Sequence, residues 1–209
     1  MHLILLLILL ACPVGAMKVT LYTNTMCPFA QRVWIALEAA SIAYEKVDVN
    51  LYGSHGFDKA ALRKVESAGG LSPKGYIPVM EIDDEVCRES SVLVRRVAAL
   101  SQEVPGAVSL VPQNDVIAKE LIAKCNALPK STRSAELDAL MARCDAACAE
   151  APFLAGATFS VADACLLPFL QRVEEDIPHD AAHLRAYMKR VRSLPAFSKT
   201  VADSWWWWW

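Results

Sequence analysis

The hydrophobic period of this chain changes character once along its length, and that change restricts the fold more than any other feature. From Lys18 the pattern alternates, with Val19 and Leu21 on one face and Thr20 and Tyr22 on the other, until Asn24-Thr25 interrupts it. A helical period follows at once in Phe29, Val33, Ala36, Leu37 and Ala40, and Pro28 suits the first turn of that helix. Alternation returns from Tyr44 to Val49, where Val47 and Val49 interleave with Lys46 and Asp48, and a weakly amphipathic helix fits Phe57 to Val65. After a Gly/Ser/Pro-rich loop, Pro78 to Ile82 and Glu85 to Arg88 flank Asp83-Asp84 as a hairpin, although the preferred Asp-Gly turn is absent. Leu93, Val97 and Leu100 mark a third helix. Beyond it no strand pattern reappears. Ile117, Leu121, Cys125 and Leu128, then Leu137, Leu140, Met141, Cys144 and Cys148, then Leu184, Tyr187, Met188 and Val191 all follow the helical period.

A strand-helix-strand-helix-hairpin-helix order builds a four-stranded mixed sheet with helices packed on it, and crossover handedness leaves few alternatives for a domain of ~85 residues. The expected fold is therefore α/β plus all-α: a βαβαββα domain resembling thioredoxin over 17–100, then an all-helical domain over 114–203. Pro105-Gly106 and Pro112 place the linker at 101–113. Within the helical half, Ser160-Val161-Ala162-Asp163 sets a capping hydroxyl and an acidic N3 residue before an apolar run, a variant of the capping box. There is no internal repeat.

The two ends read differently from the rest. Residues 1–16 hold an eight-residue apolar run, Leu3 to Leu10, followed by the small residues Val14-Gly15-Ala16. That is the pattern of a cleaved leader, too short to span a bilayer, and it points to the secretory pathway or an organelle. His2 is the only basic candidate before the run, and Leu9-Leu10-Ala11-Cys12 also resembles a lipoprotein cleavage box. The alternative is a cytoplasmic protein that starts at Met17. At the other end, Ser204 precedes five consecutive tryptophans, Trp205 to Trp209. No packed core needs such a run: 204–209 reads as a tail, though tryptophan also favours membrane interfaces.

The 21 basic and 23 acidic side chains nearly cancel, which removes the electrostatic footprint for nucleic acid or an anionic membrane and favours a small-molecule partner. None of the seven cysteines pairs with another at C-x-x-C spacing, so a zinc ribbon or dithiol redox centre is not expected, nor is a disulfide scaffold in so long and apolar a chain. Cys144 and Cys148 lie four apart, as do His179 and His183, but the two cysteines continue the stripe of Leu137, Leu140 and Met141. Glu174-Glu175-Asp176 reads as a solvated cluster. No metal is expected.

Cys27 is the exception. A thiol at the first turn of a helix meets unpaired backbone N–H groups and the positive end of the helix dipole, and both favour the thiolate. A lowered pKa is therefore expected, and with it a reactive nucleophile. Position 30 is alanine, where a dithiol oxidoreductase would carry its second cysteine. Without a local resolving thiol, a mixed disulfide on Cys27 has to be released by an external one.

The segment Cys27-Pro28-Phe29-Ala30-Gln31-Arg32-Val33-Trp34-Ile35 resembles the active-site helix of lambda-class glutathione transferases and is close to the omega-class form. Gly75-Tyr76-Ile77-Pro78-Val79 is similar to the family's loop ending in a cis-proline, and Arg88-Glu89-Ser90 to the acidic-Ser motif that opens its third helix. In the second half, Phe153 to Gly156 and Phe159 to Ala164 resemble the family's capped central helix, and Met188 to Phe197 its closing helix. The resemblance runs from Met17 to about Thr200. It implies Cys27 as the catalytic nucleophile and glutathione as co-substrate. The Ile77 backbone, exposed by the turn at Pro78, would pair with the cysteinyl amide in a strand-like manner. Ser90 would hold the γ-glutamyl carboxylate at a helix N-terminus, and Glu89 would counter the ammonium of the same group.

Two departures bear on affinity. The loop from Tyr52 to Phe57 lacks the lysine that omega-class enzymes place near glutathione, and Ser67 to Leu71 looks like an insertion, with Lys59 or Lys74 as candidate substitutes. The implied function is a glutathione-dependent thiol transferase or reductase, acting on a small electrophile or disulfide by deglutathionylation or dehydroascorbate-type reduction. Conjugation of aromatic electrophiles would be a side activity, because that chemistry wants a Ser or Tyr hydroxyl beside glutathione's own thiolate. The same fold also serves as a ligand carrier, an interaction module and, in a family resembling the omega class, a chloride-channel protein. The joint presence of Cys27, Ile77-Pro78 and Glu89-Ser90 favours the enzyme, and a homodimer stays open.

Overall fold

The computed structural model describes residues 17–49, 76–83, 85–128 and 134–201. The leader over 1–16, the helix expected over 57–65, the insertion at 67–71, Lys59, Lys74, Asp84 and the tryptophan tail lie outside the described residues.

Four strands form one sheet in the order β2-β1-β3-β4: β1 (Val19–Thr23), β2 (Glu45–Asp48), β3 (Val79–Ile82) and β4 (Glu85–Arg88). β1 runs parallel to β2 and antiparallel to β3, and β3 antiparallel to β4. α1 (Pro28–Ala40) joins β1 to β2, and α2 (Ser90–Glu103) follows β4. The helical half contains α3 (Asp115–Asn126), α4 (Ala135–Glu150), α5 (Val161–Leu170), a 3-10 segment (Gln171–Asp176), α6 (Ala182–Arg192) and α7 (Pro195–Ser198).

The alternation in β1 suggests one wet face, yet all five residues are buried. β1 is an inner strand of the sheet. Val19 and Leu21 enter the main core, while Tyr22 packs with Val49 and Val79 in a second apolar cluster and its hydroxyl donates to Glu81 Oε2 at 2.9 Å. Without an Asp-Gly turn, the hairpin uses Asp83 in the left-handed region at φ 52°. Its Oδ1 accepts from the Lys18 N–H at 2.9 Å, and its own N–H donates to the Lys18 carbonyl at 2.8 Å.

α2 continues through Glu103, past Ser101, where the linker was expected to begin. The chain that follows is pinned rather than loose: the Val108 N–H donates to the Ala40 carbonyl at 2.8 Å, and Leu110 is fully buried. Asn114 and Ser134 cap α3 and α4 by accepting from the N–H groups of Ile117 and Leu137. A short bridge joins Phe153 to Gly156 within the otherwise helical half. Gly156 sits at φ +148°, and a Cβ there would lie 2.5 Å from Gln113 Oε1, so only glycine fits.

At the head of α5, the Asp163 carboxylate accepts from the Ser160 N–H at 2.8 Å, the Ser160 hydroxyl at 2.9 Å and the Leu154 N–H at 3.0 Å. The box expected from sequence thus also ties α5 to the preceding bridge. α1 packs against both α2 and α5, which also touch each other, and a single apolar core runs through both halves.

Candidate active site

The strand register brings three separate stretches of chain to one end of the sheet. Tyr22 pairs with Val79, and Val79 with Arg88, so these residues form one row across β1, β3 and β4. Just beyond that row lie the turn 24–26 leading to Cys27, the Ile77-Pro78 peptide, and Glu89-Ser90. The residues singled out from sequence therefore converge on one edge, although 63 positions separate Cys27 from Ser90.

Cys27 is the N-cap of α1, with Pro28 at the first helical position. Asn24 shapes the approach: its Oδ1 accepts from the Met26 N–H at 2.9 Å, its Nδ2 donates to the Val49 carbonyl at 2.8 Å, and its own carbonyl accepts from the Cys27 N–H at 3.1 Å. The Ile77-Pro78 peptide is cis. Ser90 opens α2 and is 8% exposed, whereas Glu89 is exposed and has φ 65°. A non-glycine residue held there costs on the order of 1 kcal/mol, and such strain concentrates at functional sites.

The lowered thiol pKa expected at Cys27 is not what the structure gives. Cys27 is only 8% exposed, and burial pushes its thiol above the ordinary value. The backbone N–H groups of Ala30 and Phe29 and the guanidinium groups of Arg172 and Arg32 pull it back, but not fully. Desolvation outweighs the helix N-terminus at so buried a thiol, and burial is a tertiary property that the local signals of a helix start do not carry.

Three polar residues of the site carried no role in the sequence. Gln31 and Arg32 are each 1% exposed, on a helix whose apolar spacing puts them off the core face. Gln31 Nε2 donates to Gln171 Oε1 at 3.2 Å. Arg32 donates to the Cys165 carbonyl at 2.8 Å, Asn126 Oδ1 at 2.7 Å and Cys125 Sγ at 3.2 Å, with its guanidinium 4.4 Å from the Phe169 ring centre and 5.4 Å from that of Phe29. Arg172 enters from the 3-10 segment, donating to Gln31 Oε1 at 2.9 Å, to the Met26 carbonyl at 3.4 Å and to the Pro168 carbonyl. The only sequence signal for these contacts is the pair of polar residues in the second turn of an apolar helix.

Among the described residues, no group of His, Cys, Asp or Glu side chains is arranged to hold a metal ion, and no helix is long and apolar enough to cross a membrane. Cys144 is fully buried, and Cys148 packs against the core beside it, as the apolar stripe implies.

Comparison with known proteins gives the same architecture. Residues 21–105 match the family model "Glutathione S-transferase, N-terminal domain" and residues 132–190 match "Glutathione S-transferase, C-terminal domain". "Probable glutathione S-transferase DHAR2, chloroplastic" from Oryza sativa subsp. japonica is 25% identical, over 84% of this chain and 65% of its own length. "Glutathione S-transferase DHAR3, chloroplastic" from Arabidopsis thaliana is 24% identical, over 85% and 70%. "Protein IN2-1" from Zea mays is 28% identical, over 88% and 80%. The chain thus spans about two thirds of the length of the first two relatives. Glutathione transferase Omega 2C from Trametes versicolor superposes with a TM-score of 0.70 at 22% identity, covering 90% of this chain and 95% of that one. A theta-class glutathione S-transferase from Xanthomonas axonopodis pv. citri, solved with glutathione bound, gives 0.66 at 24% identity, covering 90% and 98%. With both halves matched in order and a cysteine at the head of α1, the chain belongs to the glutathione transferase family, on its cysteine-type side.

Proposed function

We propose that the protein is a glutathione-dependent thiol transferase or reductase working through a mixed disulfide on Cys27. One observation carries this: a single cysteine caps α1 with alanine at position 30, at the sheet edge where Ile77-Pro78 and Glu89-Ser90 also lie. The Cys27 thiolate attacks the sulfur of a glutathionylated substrate, forming a Cys27–glutathione disulfide and releasing the substrate thiol. The thiolate of a second glutathione then attacks that disulfide, leaving oxidised glutathione and regenerating Cys27. In balance, the substrate sulfur is reduced to a thiol and the incoming glutathione is oxidised, while the glutathionyl group carried by the substrate stays at the disulfide level and Cys27 ends unchanged.

In the same proposal the open backbone of Ile77 pairs with glutathione in a strand-like manner. Ser90 and the first N–H groups of α2 receive the γ-glutamyl carboxylate, and the exposed Glu89 faces its ammonium. Two of the relatives are chloroplastic by name, and organelle delivery by residues 1–16 belongs to this proposal. Fluorescent fusions with and without those residues test it: identical distributions would remove that part.

Glutathione-dependent reduction of a small mixed disulfide tests the catalytic part, comparing the parent with Cys27→Ser. Turnover lost in the variant supports it. Glutathione binding without turnover in the parent would replace the enzyme with a ligand carrier.

A further inference from the structure

The nucleophile belongs to the first half of the chain, yet a cation from the second half is built against it. Arg172 is the second residue of the 3-10 segment that continues α5, a helix with Pro168 inside it, and Val173, just after Arg172, lies outside helical geometry at φ −114° and ψ 18°. The Arg172 side chain reaches both α1 and the turn before it. Its Nη1 donates to Gln31 Oε1 and to the Pro168 carbonyl, and its Nη2 reaches the Met26 carbonyl. Met26 immediately precedes Cys27, and Gln31 lies one helical turn after it, donating its N–H to the Cys27 carbonyl at 2.9 Å. A guanidinium held on both of these residues brackets the thiol. Gln31 is itself fixed by Gln171, the neighbour of Arg172, so two consecutive residues of the 3-10 segment grip the second turn of α1.

Two guanidinium groups bear on the Cys27 sulfur, and their settings differ. Arg32, from α1 itself, is directed toward the Cys165 carbonyl, Asn126 and Cys125, against the paired rings of Phe29 and Phe169. Arg172 alone contacts the turn that carries Cys27 into the helix. Burial draws the Arg172 guanidinium down to about 10, while the charge at Cys27 opposes that shift. A buried cation and a buried thiolate each offset the other's desolvation.

We infer that Arg172 is a positioning residue that supplies the helical half's charge to the Cys27 thiolate, so that the nucleophile is complete only when the two halves are docked. This inference rests on Cys27 being the nucleophile and deepens that proposal; it assigns Arg172 no contact with substrate. It also makes the thiol sensitive to the packing of α5 and the 3-10 segment against α1. An acceptor that moved Arg172 would change the leaving tendency of Cys27 as well.

The test is the pH profile of Cys27 alkylation by iodoacetamide on the full chain, read by mass at Cys27 in the parent, Arg172→Gln, Arg172→Met and Arg172→Lys. Turnover is measured separately. In the two uncharged variants the midpoint should move up by about one pH unit, and Arg172→Lys should recover most of that shift, since it keeps the charge and loses only the planar fork. An unchanged midpoint in a folded uncharged variant would overturn the inference, whatever happened to turnover or melting temperature. The glutathione proposal fails differently: the midpoints would shift as stated while the parent showed no turnover.

Discussion

Cys27 and Arg32 illustrate two fates of a polar group inside the same helix. Arg32 is buried because every branch of its guanidinium is used, on a carbonyl, an amide, a sulfur and two aromatic faces. Removing it leaves the Cys165 carbonyl and Asn126 without their donors and opens a cavity. Arg32→Ala is therefore expected to lower stability by about 3 kcal/mol in urea denaturation, and a loss below about 1 kcal/mol would contradict this role. Cys27 is buried with its charge only partly compensated, so its thiol titrates above the ordinary value of 9.0. Alkylation of the free protein at Cys27 should accordingly keep rising as pH passes that value, and a plateau reached below it would contradict the burial seen here. Sequence alone led to the opposite sign. It contained the helix start and the proline, and it had no access to the burial of Cys27 or to Arg172, which lies more than 140 positions from the residues it contacts there.

At the level of elements, legibility followed locality. α1, the hairpin and the capped start of α5 were readable because their signals lie within a few residues: Pro28 after Cys27, two β runs around Asp83, Ser160 before Asp163. The burial of β1 on both faces was not readable, because it depends on neighbours from other parts of the chain. For α1 the amphipathic stripe was misleading. The helix is covered by both α2 and α5, and Gln31 and Arg32 are buried with partners 140 and 133 positions away. The capped start of α5 also titrates. Asp163 is fully buried, and desolvation raises its carboxyl to about 6 from 3.8, against the pull of the Leu154 and Ser160 N–H groups, the Ser160 hydroxyl and Tyr187. A raised folded-state value stabilises fully below the unfolded pKa and loses that contribution as pH rises through the folded one. The parent should therefore lose stability between about pH 4 and pH 6 relative to Asp163→Asn; parallel unfolding profiles across that range would contradict the assignment.

The described residues of both halves share one apolar core, which contains residues of β1, α1 and α2 together with residues of α3 to α7. The contacts of Arg32, Gln31 and Arg172 cross the same boundary. Urea unfolding followed by far-ultraviolet dichroism and by cysteine accessibility should give one coincident transition, whereas two separated transitions would show that the halves are only loosely joined. The division into a sheet half and a helical half was legible from the change in period, but their shared core was not, since periodicity reports faces and not partners. The central claim is that this shared edge makes Cys27 a glutathione-dependent nucleophile. It is tested most directly by steady-state reduction of a small mixed disulfide of glutathione by the full chain and by Cys27→Ser. The expected result is turnover in the parent that falls at least ~100-fold in the variant while glutathione binding persists. Equal turnover in the two proteins, or none in a parent that binds glutathione, would contradict it.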